Sequence, residues 1–280
     1  SVGVLVSAKI SNEDNYLAVP DCGLFGVADG LGGRLRGDVA SQIVMETIQQ
    51  YGRDLKEATR RNDPVADRTQ RRKLLRLLTA RMQEANREIF NTGQGEMGTT
   101  GDILLLAQNA ALTAHVVDSR VYLLRDGEIH RLTNAHTYAE QTPTNPPKSC
   151  PDSGTETPRH RLTRTLGTEP HVSIDTLFVE TRPADRFLLC TDGLTDQLDE
   201  ADIVEIARDH RGVAFVQTLI DRARRVGGLH NTTVVSVELP QAEATDFTNL
   251  DTIETERKVE YLKDVPLFEG LDKRSILQVL

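Results

Sequence analysis

A chain of 280 residues, 38% apolar and 27% charged, is long enough for one large domain, or for one domain and a fragment of another, and is expected to fold as a soluble globule. Its net charge of −9 excludes the basic field that general nucleic-acid binding needs. No run approaches the roughly 18 consecutive apolar residues of a membrane helix, and the opening "SVGVLVSAKISNED" lacks the basic-then-apolar layout of a secretory signal, so a cytoplasmic protein without membrane contact is expected.

In chain order, residues 2–6 and 15–19 read as short strands, and "CGLFGVAD" reads as a buried strand ending at Asp29. From Asp38 onward Val39, Ile43, Val44, Ile48, Tyr51 and Leu55 fall at steps of three and four, which predicts one helix. A second helix is carried by Leu74, Leu75, Leu78, Met82, Ala85 and Ile89, with Asn62 or Asp63 as its cap and Pro64 in its first turn. The basic run "RTQRRK" on that helix reads as its solvated side. Then come the strands "DILLLAQ", "ALTAHVVD", "SRVYLLRD" and "EIHRLT", with Asp126-Gly127 as a hairpin turn. Residues 137–160 are rich in Pro, Ser and Thr and aperiodic, and read as a long loop. "VSIDTLFVE" and "RFLLCTD" are strands again, followed by helices near 199–208 and 213–226 and the strand "TTVVSVEL". Strands grouped between helix pairs disfavour a doubly wound parallel sheet. They predict an α+β fold: two packed, mostly antiparallel sheets flanked by helix pairs, an α-β-β-α sandwich.

The three cysteines, Cys22, Cys150 and Cys190, contain no C-x-x-C pair, so neither a disulfide framework nor a structural zinc site is expected. Cys190 reads as a buried small apolar residue. The acids at the edges of apolar strands are more informative: Glu13 and Asp14 in "SNEDNY", Asp29 before Gly30, Asp118 after "AHVV", and Asp192 before Gly193. Each alone is an ordinary turn former. If the strand ends converge, the carboxylates share a cleft that they cannot occupy ionised without a cation. An oxygen-lined site of that kind suits Mg²⁺ or Mn²⁺. Gly30 would then let its own carbonyl approach the ion. The competing reading of "VADGLGGRLRGD", a nucleotide-binding loop, lacks the Gly-Lys-Ser/Thr ending and does not match G-x-G-x-x-G.

The ordered set "NED" at 12–14, "VADGLGGRLRGDVAS" at 27–41, "MGTT" at 97–100, "AHVVDSRVYLLRDGEIHRLT" at 114–133, "LTRTLG" at 162–167, "LLCTDGLTD" at 188–196 and "NTTVVSVEL" at 231–239 resembles the metal-dependent protein serine/threonine phosphatases of the type-2C (PPM) family, in its bacterial form. The resemblance covers about residues 1–239. It implies hydrolysis of phosphoserine and phosphothreonine in proteins by a metal-activated water, with two Mn²⁺ or Mg²⁺ ions, a third more weakly held, and no covalent intermediate. By motif, Asp29 bridges two metals, Glu13 and the Gly30 carbonyl hold the second with Asp14 beside them, and Asp192 holds the first. Asp118 and Asp192 frame the third, with Asp196 in its outer shell.

Three positions depart from the family pattern. His230 stands in "GGLHNTT" where an aspartate ligand of the first metal is expected, and it either ligates, favouring Mn²⁺ over Mg²⁺, or leaves that site impaired. Lys9 stands where an arginine grips the substrate phosphate, keeping the charge but losing the bidentate fork. Ala135-His136 replaces an Asp-His pair, and His136 either helps protonate the leaving group or packs. A different class of function is therefore kept beside the enzyme: a catalytically impaired module that binds phosphoproteins or acts as a scaffold. Residues 240–257 read as a polar, acidic linker. "VEYLKDVPLFEGLDKRSILQVL" at 259–280 resembles the opening of a cyclic-nucleotide-binding domain, or is a docking helix; it suggests a longer parent protein, and this chain by itself is not expected to bind cyclic nucleotide.

Overall fold

The computed structural model describes residues 2–7, 12–31, 36–134, 163–227 and 231–241. Contacts divide the chain into two units, Ser1–Pro240 and Gln241–Leu280. The first holds all the architecture that follows. The predicted loop at 137–160, the linker beyond 241 and the tail at 259–280 lie outside the described residues.

Among the described residues ten strands form two antiparallel sheets. One runs in the order β1 (Val2–Ser7), β10 (Thr232–Glu238), β9 (Arg186–Cys190), β6 (Arg120–Arg125), β7 (Glu128–Arg131). The other runs β2 (Asp14–Val19), β3 (Leu24–Asp29), β4 (Gly101–Ala107), β5 (Ala110–Val116), β8 (Asp175–Glu180). The central strands are apolar on both faces, and side-chain alternation shares them between two layers of core. Phe25, Val27, Leu104, Val121, Phe187, Leu189 and Val235 meet between the sheets. Leu24, Ala28, Ile103 and Leu105 face the helices that cover the second sheet, and Tyr122, Leu188, Cys190 and Val234 face those that cover the first. This is the expected α-β-β-α sandwich.

The helix expected from Asp38 to Leu55 is two. α1 spans Gly37–Gln50 and α2 spans Gly52–Arg61, with Tyr51 between them. Gly52 is a poor helix former, and the chain turns there beside Cys22, whose sulfur lies 3.5 Å from where a Gly52 Cβ would stand. The start of the next helix also moves. Asn62 closes α2 by donating to the Ala58 carbonyl at 2.7 Å. Asp63 accepts from the N–H groups of Val65 and Ala66 at 2.9 and 3.1 Å in a local turn. The cap of α3 (Arg68–Gly93) is Asp67, whose carboxylate accepts from Thr69 N–H at 2.6 Å. The core stripe of α3 is as expected, with Leu74, Leu78, Met82, Ala85 and Ile89 fully buried.

On the other side, a four-residue helix α4 (Asp192–Thr195) precedes α5 (Glu200–Asp209) and α6 (Gly212–Val226). α5 opens with a capping box between Asp199 and Asp202. The hairpin at Asp126-Gly127 has both residues at positive φ, 55° and 83°, as a two-residue turn of the I′ kind requires. Arg125 grips Asp185 with two parallel bonds of 2.8 and 2.7 Å and also donates to the Glu180 carbonyl, tying β6 to the link between β8 and β9.

Candidate metal centre

Adjacent strands bring the first two acids together. β2 pairs with β3 so that Asp14 stands opposite Asp29. Backbone bonds lock the end of β3. Asp29 N–H donates to the Thr100 hydroxyl at 2.8 Å, and the Asp29 carbonyl accepts from Thr100 N–H at 2.8 Å and the Thr99 hydroxyl at 2.7 Å. The Thr100 hydroxyl also meets that of Ser119 at 2.7 Å, which anchors the residue after Asp118 to the same point. Gly30 donates to the Glu13 carbonyl at 3.0 Å. A Cβ at Gly30 would lie 2.3 Å from the Gly37 carbonyl oxygen and 2.8 Å from that of Glu13. The glycine is thus required by the close approach of the start of α1 and of the chain before β2, a constraint the sequence reading assigned to metal access alone.

Asp14 joins the two sheets. Its Oδ2 accepts from the Thr191 hydroxyl at 2.9 Å and the Thr233 hydroxyl at 2.7 Å, both carried by the opposite sheet, while its Oδ1 is buried with no hydrogen-bond partner among the described residues. Thr191 immediately precedes Asp192, the first residue of α4. A Cβ at Gly193 would lie 2.0 Å from the Asn231 carbonyl oxygen, so the start of α4 abuts the chain entering β10. The fourth acid, Asp118, follows β5 through Val117, whose φ of 93° is a strained conformation for a β-branched residue.

Burial, then mutual repulsion, sets the electrostatics. Asp29 is held well above the ordinary carboxylate range by desolvation and then by the charges of Asp14, Asp192 and Asp118. Asp14 is raised by burial and by Asp192, and its bonds to Thr233 and Thr191 work the other way. Asp118 is pushed up to about 7 by burial, then by Asp192, Asp102 and Asp196. Among the described residues no three His, Cys, Asp or Glu side chains already form a compact ligand set; the acids share one field rather than one point. The donors nevertheless fit a hard divalent cation: they are oxygens, they repel one another, and the buried Asp14 Oδ1 has no hydrogen-bond partner among the described residues.

A second buried polar group lies beside this cluster. Asp102 on β4 and His115 on β5 are cross-strand partners, with Nδ1 2.7 Å from Asp102 Oδ1 and Nε2 2.9 Å from the Asn134 carbonyl. Burial alone would lower the histidine's pKa, but the charge and hydrogen bond of Asp102 and the Asn134 carbonyl outweigh it and raise it. Sequence reasoning missed this pair and also the hydroxyl brace of Thr99, Thr100, Ser119, Thr191 and Thr233. The brace has a signal in hindsight, since the threonines flank the acidic motifs in "MGTTGD", "LCTDG" and "NTTV". Cys190 is fully buried as expected, and burial pushes its thiol up to about 12. Glu13 is half-buried beside this site. Lys9, His136 and His230 lie outside the described residues.

A family profile described as Protein phosphatase 2C matches residues 6–233. The chain belongs to the protein phosphatase 2C family. The serine/threonine protein phosphatase PstP of Mycobacterium tuberculosis is 32% identical over 236 residues, 82% of this chain and 43% of PstP, so the chain spans less than half the length of that relative. The serine/threonine phosphatase stp of Listeria monocytogenes is 33% identical over 76% of this chain and 82% of its own. Among solved structures, the M. tuberculosis PstP/Ppp phosphatase superposes with a TM-score of 0.70 at 30% identity, covering 86% of this chain and 99% of that one. The catalytic domain of PstP in complex with two manganese ions superposes with a TM-score of 0.67 at 31% identity, covering 85% and 98%. The protein phosphatase 2C fold therefore accounts for the described sandwich. No helix among the described residues is long and apolar enough to cross a membrane.

Proposed function

We propose that this chain hydrolyses phosphoserine and phosphothreonine in cytoplasmic proteins, using two Mn²⁺ or Mg²⁺ ions and a third more weakly held. The observation that carries this reading is Asp29, fixed by Thr99 and Thr100 at the end of β3 and crowded by Asp14, Asp118 and Asp192. Asp29 would bridge the two ions, with Glu13 and the Gly30 carbonyl on one and Asp192 and His230 on the other. Asp118 and Asp192 would frame the third, with Asp196 behind them. Bound ions supply a water acidified into the neutral range and offset charge on the phosphoryl oxygens. Asp14 keeps Oδ1 for the waters of the site, because Oδ2 is committed to the two threonines. Lys9 holds a phosphoryl oxygen as a point charge. Water attacks phosphorus directly, and the serine or threonine oxygen leaves with a proton from solvent or from His136.

The test is phosphate release from phosphothreonine and phosphotyrosine peptides of the same sequence. Mn²⁺-dependent release from the first, lost in EDTA, is expected. Absence of release in Mn²⁺, with the phosphopeptide still bound, would leave the impaired binding module in place of the enzyme. For the tail the proposal is that 259–280 opens a cyclic-nucleotide-binding domain belonging to a longer parent, and addition of cyclic nucleotide to this chain is expected to leave its activity unchanged.

A further inference from the structure

The basic run on α3 is not merely a solvated side. From Arg68 to Gln83 the helix carries Arg68, Arg71, Arg72, Lys73, Arg76 and Arg81 and no acid, in a chain whose net charge is −9. Arg68 and Arg71 stand in the first turns, where cations oppose the helix dipole. Some of these side chains have structural work. Arg71 donates to the Pro64 carbonyl and stacks 3.5 Å over Phe178, and Arg81 pairs with Glu84 and stacks on Tyr51. Arg72 and Arg76 are exposed and make no ion pair or hydrogen bond among the described residues. They border an open groove of about 450 Å³ floored by Leu75, Thr79 and Ala80 of α3 and by Thr176 of β8. Among the described residues β8 is the last strand of its sheet, pairing with β5 on one side, and its Leu177 is 38% exposed. A strand edge and two guanidinium groups without partners among the described residues, beside an apolar floor, match an extended acidic peptide.

The groove lies at the catalytic end of the sheet. Val27, Asp102, His115 and Asp175 form one row across β3, β4, β5 and β8. Asp29 lies two residues beyond that row at the end of β3, whereas Thr176, on the oppositely running β8, lies one residue to its other side, level with Gly26. Three inter-strand steps across the sheet and three residues along it together span about 18 Å, which an extended peptide covers in about five to six residues. We propose that the groove between α3 and β8 is a substrate-docking site for an acidic segment about five to six residues from the phosphorylated serine or threonine. This rests on the phosphatase reading above.

The test compares phosphothreonine peptides carrying four glutamates, placed about five residues to either side of the phosphothreonine, with the same peptides carrying four alanines. Hydrolysis of p-nitrophenyl phosphate, too small to reach the groove, is the parallel readout. One glutamate peptide is expected to show a kcat/KM about tenfold higher than its alanine counterpart, through KM, and the advantage should fade as ionic strength rises. Arg72→Glu/Arg76→Glu removes the advantage and leaves p-nitrophenyl phosphate turnover unchanged; Arg72→Lys/Arg76→Lys keeps part of it. Equal rates on glutamate and alanine peptides in the parent, or an advantage that survives the glutamate double variant, would overturn the proposal. So would a short single-stranded DNA that displaces the fluorescent glutamate peptide as well as an unlabelled copy does, since the groove would then read charge alone. That binding assay needs no turnover: a chain that fails on p-nitrophenyl phosphate but still binds the glutamate peptide through Arg72 and Arg76 loses the phosphatase reading and keeps the groove.

Discussion

At the residue scale the central feature is a hydroxyl brace around the carboxylates. Thr100 satisfies Asp29 N–H and meets Ser119 beside Asp118, so one side chain positions both acids. Thr100→Val leaves the Asp29 N–H without its partner, at a cost of about 1–3 kcal/mol. The expected outcome is a lower melting temperature and a loss of Mn²⁺-supported turnover larger than the loss of stability explains. An unchanged metal requirement and turnover in Thr100→Val would remove the brace from the account. His230 tests the departure from the family pattern. A neutral imidazole suits Mn²⁺ better than Mg²⁺, so His230→Asp is expected to raise Mg²⁺-supported activity relative to Mn²⁺-supported activity. A parallel fall with both ions would mean that the histidine has a different role. These two residues also mark what sequence alone conveys. The acids beside glycine announce themselves because their motif is local. The threonines that hold them are spread from Thr99 to Thr233, and their partnership exists only once both sheets are packed.

At the element scale, β4 and β5 carry Asp102 and His115 as a buried cross-strand pair whose second nitrogen holds Asn134, just past β7. Asp102 Oδ1 and the Asn134 carbonyl both accept, which favours the protonated imidazole and raises its pKa. Breaking a buried pair by removing one partner costs about 3–5 kcal/mol, whereas removing both together is far milder. Asp102→Leu is expected to destabilise strongly in urea unfolding, and Asp102→Leu/His115→Phe to recover most of that loss. Additive losses would show that the two do not act as a unit. The α3 stripe was legible because Leu74, Leu78, Met82, Ala85 and Ile89 keep their spacing. Its start was not, because Asp63 and Asp67 both have capping chemistry and only the second caps the helix. The helix from Asp38 kept its apolar spacing across Tyr51-Gly52 even though the backbone breaks there, so periodicity alone concealed the join.

At the scale of the whole molecule, two sheets bring acids from β2, β3, the end of β5 and the start of α4 into one field. Without a cation that field opposes folding. Asp29, Asp14 and Asp118 have raised pKa values in the fold, Asp118 to about 7, so at these sites the folded chain holds more protons than the unfolded one above about pH 4, and the lowered Asp67 and Glu84 act the other way only near and below that pH. Stability of the metal-free protein therefore falls as pH rises from about 4 through 7. His115 adds the same sign, because its raised pKa contributes stability that is lost as pH rises through the folded value. Divalent ions require the acids ionised, so their stabilising effect grows with pH. Thermal melts in EDTA should drop from about pH 5.5 to about pH 8, with a widening shift on adding Mn²⁺; melts that rise with pH in EDTA would contradict this assignment of the acids. Antiparallel layering was legible from grouped strands and helix pairs, since that order leaves few other ways to cover two sheets. The inter-sheet role of Asp14 was not, because nothing in "NED" shows that one oxygen will be spent on Thr191 and Thr233.

The most direct measurement is p-nitrophenyl phosphate turnover by the parent and by Asp29→Asn, each in Mn²⁺ and in EDTA. Turnover by the parent in Mn²⁺ is expected, with its disappearance in EDTA and a loss of about a thousandfold or more in Asp29→Asn, which keeps its fold. Turnover that persists in EDTA, or an Asp29→Asn variant as active as the parent, would contradict a metal centre built around Asp29.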